Sequence, residues 1–281
     1  MASTTLETSF RDAPFDTLAD TYDQTFTFSR IGRVQREAVT REMDRVFRPG
    51  QRVLEINCGT GVDALHLATR GVAVLACDVA PRMIGVARQR ADKARLEGRL
   101  RAPIEFHVLA AERIGLLRDA SFTTQFDGVL SNFAGLNCLS DLSAVARDLA
   151  MLLKPGARAV LCLFGRLCVW EIVWYLGHGN PGKAFRRLRP GESLAILADG
   201  AAVPVRYFSV RELCHRFSPH FRLESCKGVG VAVPPSYVEP WAQRFPRVLS
   251  LASYIDQWLG RCPLMRAMSD HVLITLERSV A

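Results

Sequence analysis

Five short apolar runs dominate the middle of the chain: RVLEIN (52–57), VAVLAC (72–77), IEFHVL (104–109), FDGVLS (126–131) and RAVLCLF (158–164). Helical spacing fills gaps between them, from Gly61 to Thr69, from Pro81 to about Glu97 and from Asp141 to Leu153. Apolar runs of this length alternating with helices predict a parallel sheet with helices on both faces. Pro81 suits the first turn of its helix, where a missing N–H costs nothing. Lys154-Pro155-Gly156 ends the third helix. Upstream, Ser29 is placed to cap a helix reaching Phe47. Its loose apolar face is Ile31, Val34, Ala38, Met43 and Val46, and Pro49-Gly50 stops it.

The alternation fades after Phe164. Residues 165–205 hold Trp170, Trp174 and Tyr175, then a basic stretch, then a Gly/Ala-rich loop. FRLESCKGVGV (221–231) and HVLITLER (271–278) read as strands, with a break at Pro234-Pro235. Trp241, Phe245, Val248, Leu249, Ala252, Ile255, Trp258 and Leu259 are spaced by threes and fours. That spacing predicts one helix over 239–259, whose apolar face either packs on the core or walls a substrate pocket over the sheet edge.

The segment Val53-Leu54-Glu55-Ile56-Asn57-Cys58-Gly59-Thr60-Gly61 runs a strand into a tight glycine turn and then a helix. Glycine permits such a turn and lets a ligand touch bare backbone, and the helix start offers free amides. Asp78 closes the second strand 17 residues after Gly61. An acid there can accept both hydroxyls of a ribose. Two ligand classes fit. Gly59-x-Gly61-x-x-Ala64 satisfies the loose dinucleotide fingerprint of a nicotinamide-dependent oxidoreductase. A non-catalytic nucleoside-binding protein fits as well. Against a dinucleotide stands Glu55, a carboxylate where pyrophosphate would approach, and one suited to a cationic ligand. The leading fifty residues and the two late strands also depart from that pattern.

With these motifs in this order, the sequence resembles the class I S-adenosylmethionine-dependent methyltransferases. VLEINCGTG is similar to the family's first motif, with Asn57 in place of its first glycine. Asp78 matches the acid of the second strand, and Pro81-Arg82-Met83 the turn lying against adenine. Ala110-Ala111-Glu112 resembles the segment bordering the adenine ring, FDGVLSNFAGLNCL the fourth motif and LLKPGARAVL the fifth. Phe15 with Tyr22-Asp23 resembles the N-terminal lid of small-molecule members. The resemblance is close over residues 15–165 and looser at the two late strands.

What the resemblance implies is an α/β fold: a doubly wound, seven-stranded mixed sheet, Rossmann-like, parallel except for its last strand. One domain over 1–281 is expected, with 1–50 as lid and helix and 51–165 as the cofactor-binding core. Residues 166–220 and 232–270 would be substrate-side insertions, and 221–231 and 271–278 the last strands. The implied cofactor is S-adenosyl-L-methionine, leaving as S-adenosyl-L-homocysteine, with no metal. The implied contacts are Tyr22, Arg36, Glu55, Asn57, Gly59, Gly61, Asp78, Val79, Met83, Ala111, Glu112, Ser131, Asn132 and Phe133. Glu55 would balance the sulfonium or amino end, and Asp78 would hold the ribose. Met83 would flank adenine, and Arg36 or Arg33 would pair with the methionine carboxylate. Ser131, Asn132 and Phe133 follow the fourth strand and would lie near the transferable methyl. The implied reaction is methyl transfer to a small, partly apolar acceptor, with oxygen favoured over carbon or nitrogen. No catalytic base is assigned: the histidines are scattered, and His178, His215, His220 and His271 fall where the motif pattern is weak.

The net charge of +8 sharpens the substrate side. Residues 1–50 carry −1, residues 51–150 carry +1, and residues 151–281 carry +8. Lys183, Arg186, Arg187 and Arg189 crowd four cations into seven residues. Either water solvates them, or they meet an anionic substrate group, a carrier protein or a membrane surface. The cluster is short and lacks interleaved aromatics, which argues against nucleic acid. Trp170, Trp174 and Tyr175, with Arg186 and Arg187, are the candidate substrate contacts. MASTTLETSFRDAP lacks the apolar core of a signal peptide. The eight cysteines form no C-x-x-C pair and no Cys/His cluster at zinc spacing. The expectation is a cytoplasmic protein, peripheral to the membrane if the basic segment binds lipid.

Overall fold

The computed structural model describes residues 13–118, 125–197 and 200–280. Two helices lead in, α1 (Ala19–Tyr22) and α2 (Arg30–Val46). Then follow β1 (Arg52–Ile56), α3 (Val62–Thr69), β2 (Ala73–Asp78), α4 (Pro81–Leu96) and β3 (Ile104–Val108). A 3-10 stretch, Ala111–Arg118, precedes β4 (Phe126–Ser131), α5 (Leu142–Leu152) and β5 (Leu153–Phe164). The later part holds α6 (Val169–Gly177), α7 (Pro181–Ala184), β6 (Glu192–Ile196), β7 (Ala202–Arg206) and α8 (Val210–Phe217). The chain closes with β8 (Phe221–Val229), α9 (Glu239–Arg244), α10 (Pro246–Leu259), α11 (Pro263–Arg266) and β9 (His271–Arg278).

Seven strands form one sheet in the order β3-β2-β1-β4-β5-β9-β8. Only β9 runs against the rest, antiparallel to β5 and to β8. Alternate residues of each strand serve opposite faces. Val53 and Val74 pack with Val39, Met43, Leu67 and Ile84 of α2, α3 and α4. Leu54, Ile56 and Leu75 pack with Val145 and Leu149 of α5, Leu213 and Phe217 of α8, and Ile114. The sheet is therefore doubly wound and mixed, as the sequence predicts. Local chemistry sets the helix starts. Ser29 Oγ accepts from the Gly32 amide at 3.0 Å, and Asp141 Oδ1 accepts from Ser143 and Ala144, each tying down N–H groups that the helix leaves free.

Three predicted details change. The expected helix over 239–259 breaks at Phe245, which adopts φ −125, ψ 61 ahead of Pro246. A residue before proline is pushed out of the helical region. The expected inward face is also turned: Leu249 is buried, but Val248, Ile255 and Trp258 point outward. Finally, the expected Gly/Ala-rich loop contains a hairpin, with β6 paired antiparallel to β7.

Candidate active site

β1 hands the chain to a turn in which Asn57, Gly59 and Gly61 all take left-handed backbone angles, φ 57, 52 and 72. Asparagine visits this region more readily than most side chains. At Gly61 a Cβ would come within 2.7 Å of the Ala87 Cβ. At Gly59 it would meet nothing within 4 Å, so the loop faces open space there. Behind the loop, a Cβ on Gly135 would fall 2.4 Å from the Asn57 Cβ, so these two residues hold each other in place. Asp78, at the end of β2, fixes the turn from the other side. Its Oδ2 accepts from the Gly59 amide at 2.8 Å and its Oδ1 from the Ala80 amide at 2.9 Å. Each oxygen keeps acceptor capacity for a ligand hydroxyl. Burial raises this carboxyl above its ordinary value.

A buried charge cluster sits beside the loop. Glu55, on β1, is 1% exposed, and its Oε2 has no hydrogen-bond partner. Burial and then the nearby Asp63 push its carboxyl well above the ordinary range, and Arg36 only partly offsets them. Arg36 Nη1 lies 2.6 Å from both oxygens of Asp63. Asn132 Nδ2 donates to Asp63 Oδ2 at 2.8 Å. The Arg36 Nε is buried without a partner, and its guanidinium lies 4.7 Å from the Phe133 ring centre. Phe133 and Ala134 follow β4 with φ 50 and 66, two left-handed non-glycine residues in succession. Such backbone is strained, and strain of this kind collects at functional sites.

The N-terminal segment packs against this loop and the start of α4. Thr60 Oγ1 donates to Asp23 Oδ1 at 2.8 Å, and Arg90 bonds both Asp23 and the Thr60 carbonyl. Phe15, Ala19 and Tyr22 pack on Met83. Burial raises the Tyr22 hydroxyl to about 12, against the pull of Arg36.

The structure thus gathers Tyr22, Arg36, Glu55, Asn57, Gly59, Gly61, Asp78, Met83, Asn132 and Phe133 at the carboxyl edge of β1, β2 and β4. Ser131 joins them, with its Oγ 3.5 Å from Asn57 Oδ1. Val79 follows Asp78, half-buried. Ala111 is buried with the α5 core on the opposite face of the sheet, and Glu112 is exposed. Arg36, expected for a methionine carboxylate, is held by Asp63 through Nη1, while its Nε is buried without a partner.

The basic segment needs a larger correction. Arg187 is not a surface cation: it is 4% exposed and bonds Glu171 Oε2 at 2.9 Å and Asp270 Oδ1 at 2.6 Å. Arg186 donates to Glu171 at 2.7 and 3.0 Å. A charge can be buried only when paired, and Glu171 is the acid that pairs both. Lys183 and Arg189 alone stay exposed. Trp170 donates from Nε1 to the Val231 carbonyl at 3.0 Å, Trp174 packs beside Leu249, and Tyr175 lies 5.6 Å from Tyr237. All three thus pack against residues 231–249 of the later chain.

The residue that sequence reasoning passed over is His271. As the first residue of β9 it pairs with Phe164, the last of β5. An antiparallel strand must begin at the edge where its parallel neighbour ends, and that topology was the available signal. Its ring stacks on Phe164 at 4.6 Å and meets Phe133 edge-on at 5.5 Å. Its Nδ1 lies 3.3 Å from Asp270 Oδ2.

The chain has the fold of the class I S-adenosylmethionine-dependent methyltransferases. Residues 53–156 match the family model described as a methyltransferase domain. The sheet order with its antiparallel β9 also differs from the 3-2-1-4-5-6 order of a dinucleotide fold. Among curated proteins, the chain is 31% identical over 170 residues to the demethylmenaquinone methyltransferase of Thermobifida fusca, covering 59% of this chain and 66% of that one. It is 34% identical over 154 residues to that of Clavibacter sepedonicus, covering 54% and 57%. The match thus spans less than two thirds of these relatives' own length. Among solved structures, the CcbJ methyltransferase of Streptomyces caelestis superposes with a TM-score of 0.59 at 14% identity, covering 97% of this chain and 99% of that one. Magnesium protoporphyrin IX methyltransferase from Synechocystis PCC 6803, solved with bound SAH, gives 0.58 at 15% identity, covering 94% and 96%.

Proposed function

We propose that this chain transfers a methyl group from S-adenosylmethionine to an oxygen of a small, partly apolar acceptor. One observation carries the reading: the buried Glu55 carboxyl, with an unpartnered oxygen, lies beside the half-buried Arg36, whose Nε is buried and unpartnered. Those two orphaned groups fit a ligand bearing both an ammonium and a carboxylate. The bare backbone at Gly59 and the acceptors of Asp78 fit a nucleoside next to it. No cluster of metal-binding side chains occurs among the described residues. The relatives named for demethylmenaquinone support an apolar, quinone-like acceptor.

S-adenosylmethionine supplies a methyl already activated on sulfur. The protein's part is then placement and the exclusion of water. Glu55 and Arg36 would fix the amino-acid end, Asp78 the ribose, and Tyr22 with Asp23 would close the lid. Phe133 would wall the methyl. His271 faces this wall, with Asp270 beside its Nδ1. We assign it the proton that an acceptor hydroxyl loses as its oxygen gains the methyl.

The test is calorimetric titration with S-adenosylhomocysteine and with NAD, followed by transfer of labelled methyl into a metabolite extract. Binding of the first ligand, none of the second, and a labelled product are expected. Tight NAD binding alone overturns the reading, and the labelled product names the acceptor atom. His271→Asn should lower kcat by about 100-fold or more while leaving cofactor affinity unchanged. An unaltered kcat-against-pH profile in that variant removes His271 from the chemistry.

A further inference from the structure

We propose that the outer face of α10 docks on an anionic lipid surface. Val248, Leu251, Ile255 and Trp258 fall at spacings of three, four and three, which puts them on one stripe of the helix. All four point to solvent, exposed at 47, 59, 39 and 63%, with Tyr254 beside them at 61%. The opposite side is anchored. Leu249 is buried, and Asp256 accepts from the amides of Gly230, Val231 and Ala232. Helix α10 cannot roll its apolar stripe inward without stranding that carboxylate and those amides.

Neighbouring segments expose further apolar side chains. Phe245 and Leu264, just outside the helix ends, are exposed. Trp174 of α6 packs in one cluster with Leu249 and Ala252, and α6 exposes Val169, Val173 and Leu176. An apolar area of this extent marks an interaction site.

Charge selects the occupant. Between Pro240 and Ser269 the basic side chains are Arg244, Arg247, Arg261 and Arg266, and the acid is Asp256, which is buried. Arg244, Arg247 and Arg261 are exposed, and none pairs with an acid among the described residues. Arg261 lies over the Trp258 ring and Arg244 over the Phe245 ring, both at 5.9 Å. Apolar stripe, aromatic belt and arginine rim together describe a helix lying in the plane of an anionic interface. No helix among the described residues is long and apolar enough to cross a membrane. A second copy of the chain fits less well, because a two-fold contact sets arginine rim against arginine rim. This surface is independent of methyl transfer.

Co-sedimentation of the full chain with vesicles tests it. The chain should pellet with vesicles containing phosphatidylglycerol, far less with pure phosphatidylcholine, and less as salt rises. Replacing Arg244, Arg247 and Arg261 with serine should weaken partitioning on the order of 100-fold. Leu251→Ser with Trp258→Ser should weaken it by roughly tenfold or more. All five positions are exposed, and circular dichroism should confirm an unchanged fold. Failure to pellet with anionic vesicles overturns the proposal, as does equal pelleting of wild type and variants. So does a dimer in sedimentation equilibrium that the Leu251→Ser, Trp258→Ser variant converts to monomer, which assigns the face to a second copy.

Discussion

Arg187→Ala should destabilise the protein by about 3–5 kcal/mol, the usual cost of leaving buried charge unpaired. The substitution strips Glu171 and Asp270 of their shared cation, and both are almost wholly buried. It also frees the carbonyls of Gly165 and Asp270, which the same guanidinium bonds at 3.3 and 2.8 Å. Arg187→Lys keeps the charge but not the planar fork, so it should recover only part of the loss. Urea midpoints measure both. The acid limb of the stability curve gives a second readout. Burial alone would raise the Asp270 carboxyl, but His271 and Arg187 beside it hold it well below its ordinary value. A depressed folded value contributes stability above the unfolded value near ~3.9 and loses it as pH falls through that region. Removing Arg187 should flatten this loss. Unchanged midpoints would mean that the cluster is solvated rather than structural.

Asp78→Ala should abolish measurable cofactor binding, lowering affinity for S-adenosylhomocysteine by roughly 100-fold or more. Two ribose hydrogen bonds to the proposed site at Asp78, at about 1.5–3 kcal/mol each, would account for that factor. The same carboxylate holds the Gly59 and Ala80 amides, so alanine also loosens the turn. Asp78→Asn keeps the shape and one acceptor, and should lose about tenfold while the melting temperature stays close to wild type. Wild-type affinity in Asp78→Ala would remove the ribose from this end of β2.

The features legible in the sequence are those with short-range causes. Ser29 and Asp141 cap helices within three residues of themselves. The Asn57–Gly61 turn and Asp78 are separated by one helix and one strand, and a sequence motif spans that distance. The hidden features have remote partners. Arg187 finds Asp270 83 residues away, and no spacing rule predicts that pairing. Asp63 stood in plain view two residues after Gly61, yet its role needs Arg36 and Asn132 from two other elements. The α10 stripe shows a different limit. Periodicity reports that one side of a helix is apolar and says nothing of which side faces in. Asp256 decides that by binding backbone amides 23 to 26 residues upstream.

Glu55 finally bears on the heat of binding. Burial and then Asp63 push its carboxyl well above its ordinary value, toward the protonated form. A ligand ammonium brings the carboxyl back down, and the proton leaves for the buffer. Binding then tightens as pH rises. The heat measured in a calorimeter depends on what accepts that proton, so Tris and phosphate at the same pH should return different enthalpies for one affinity.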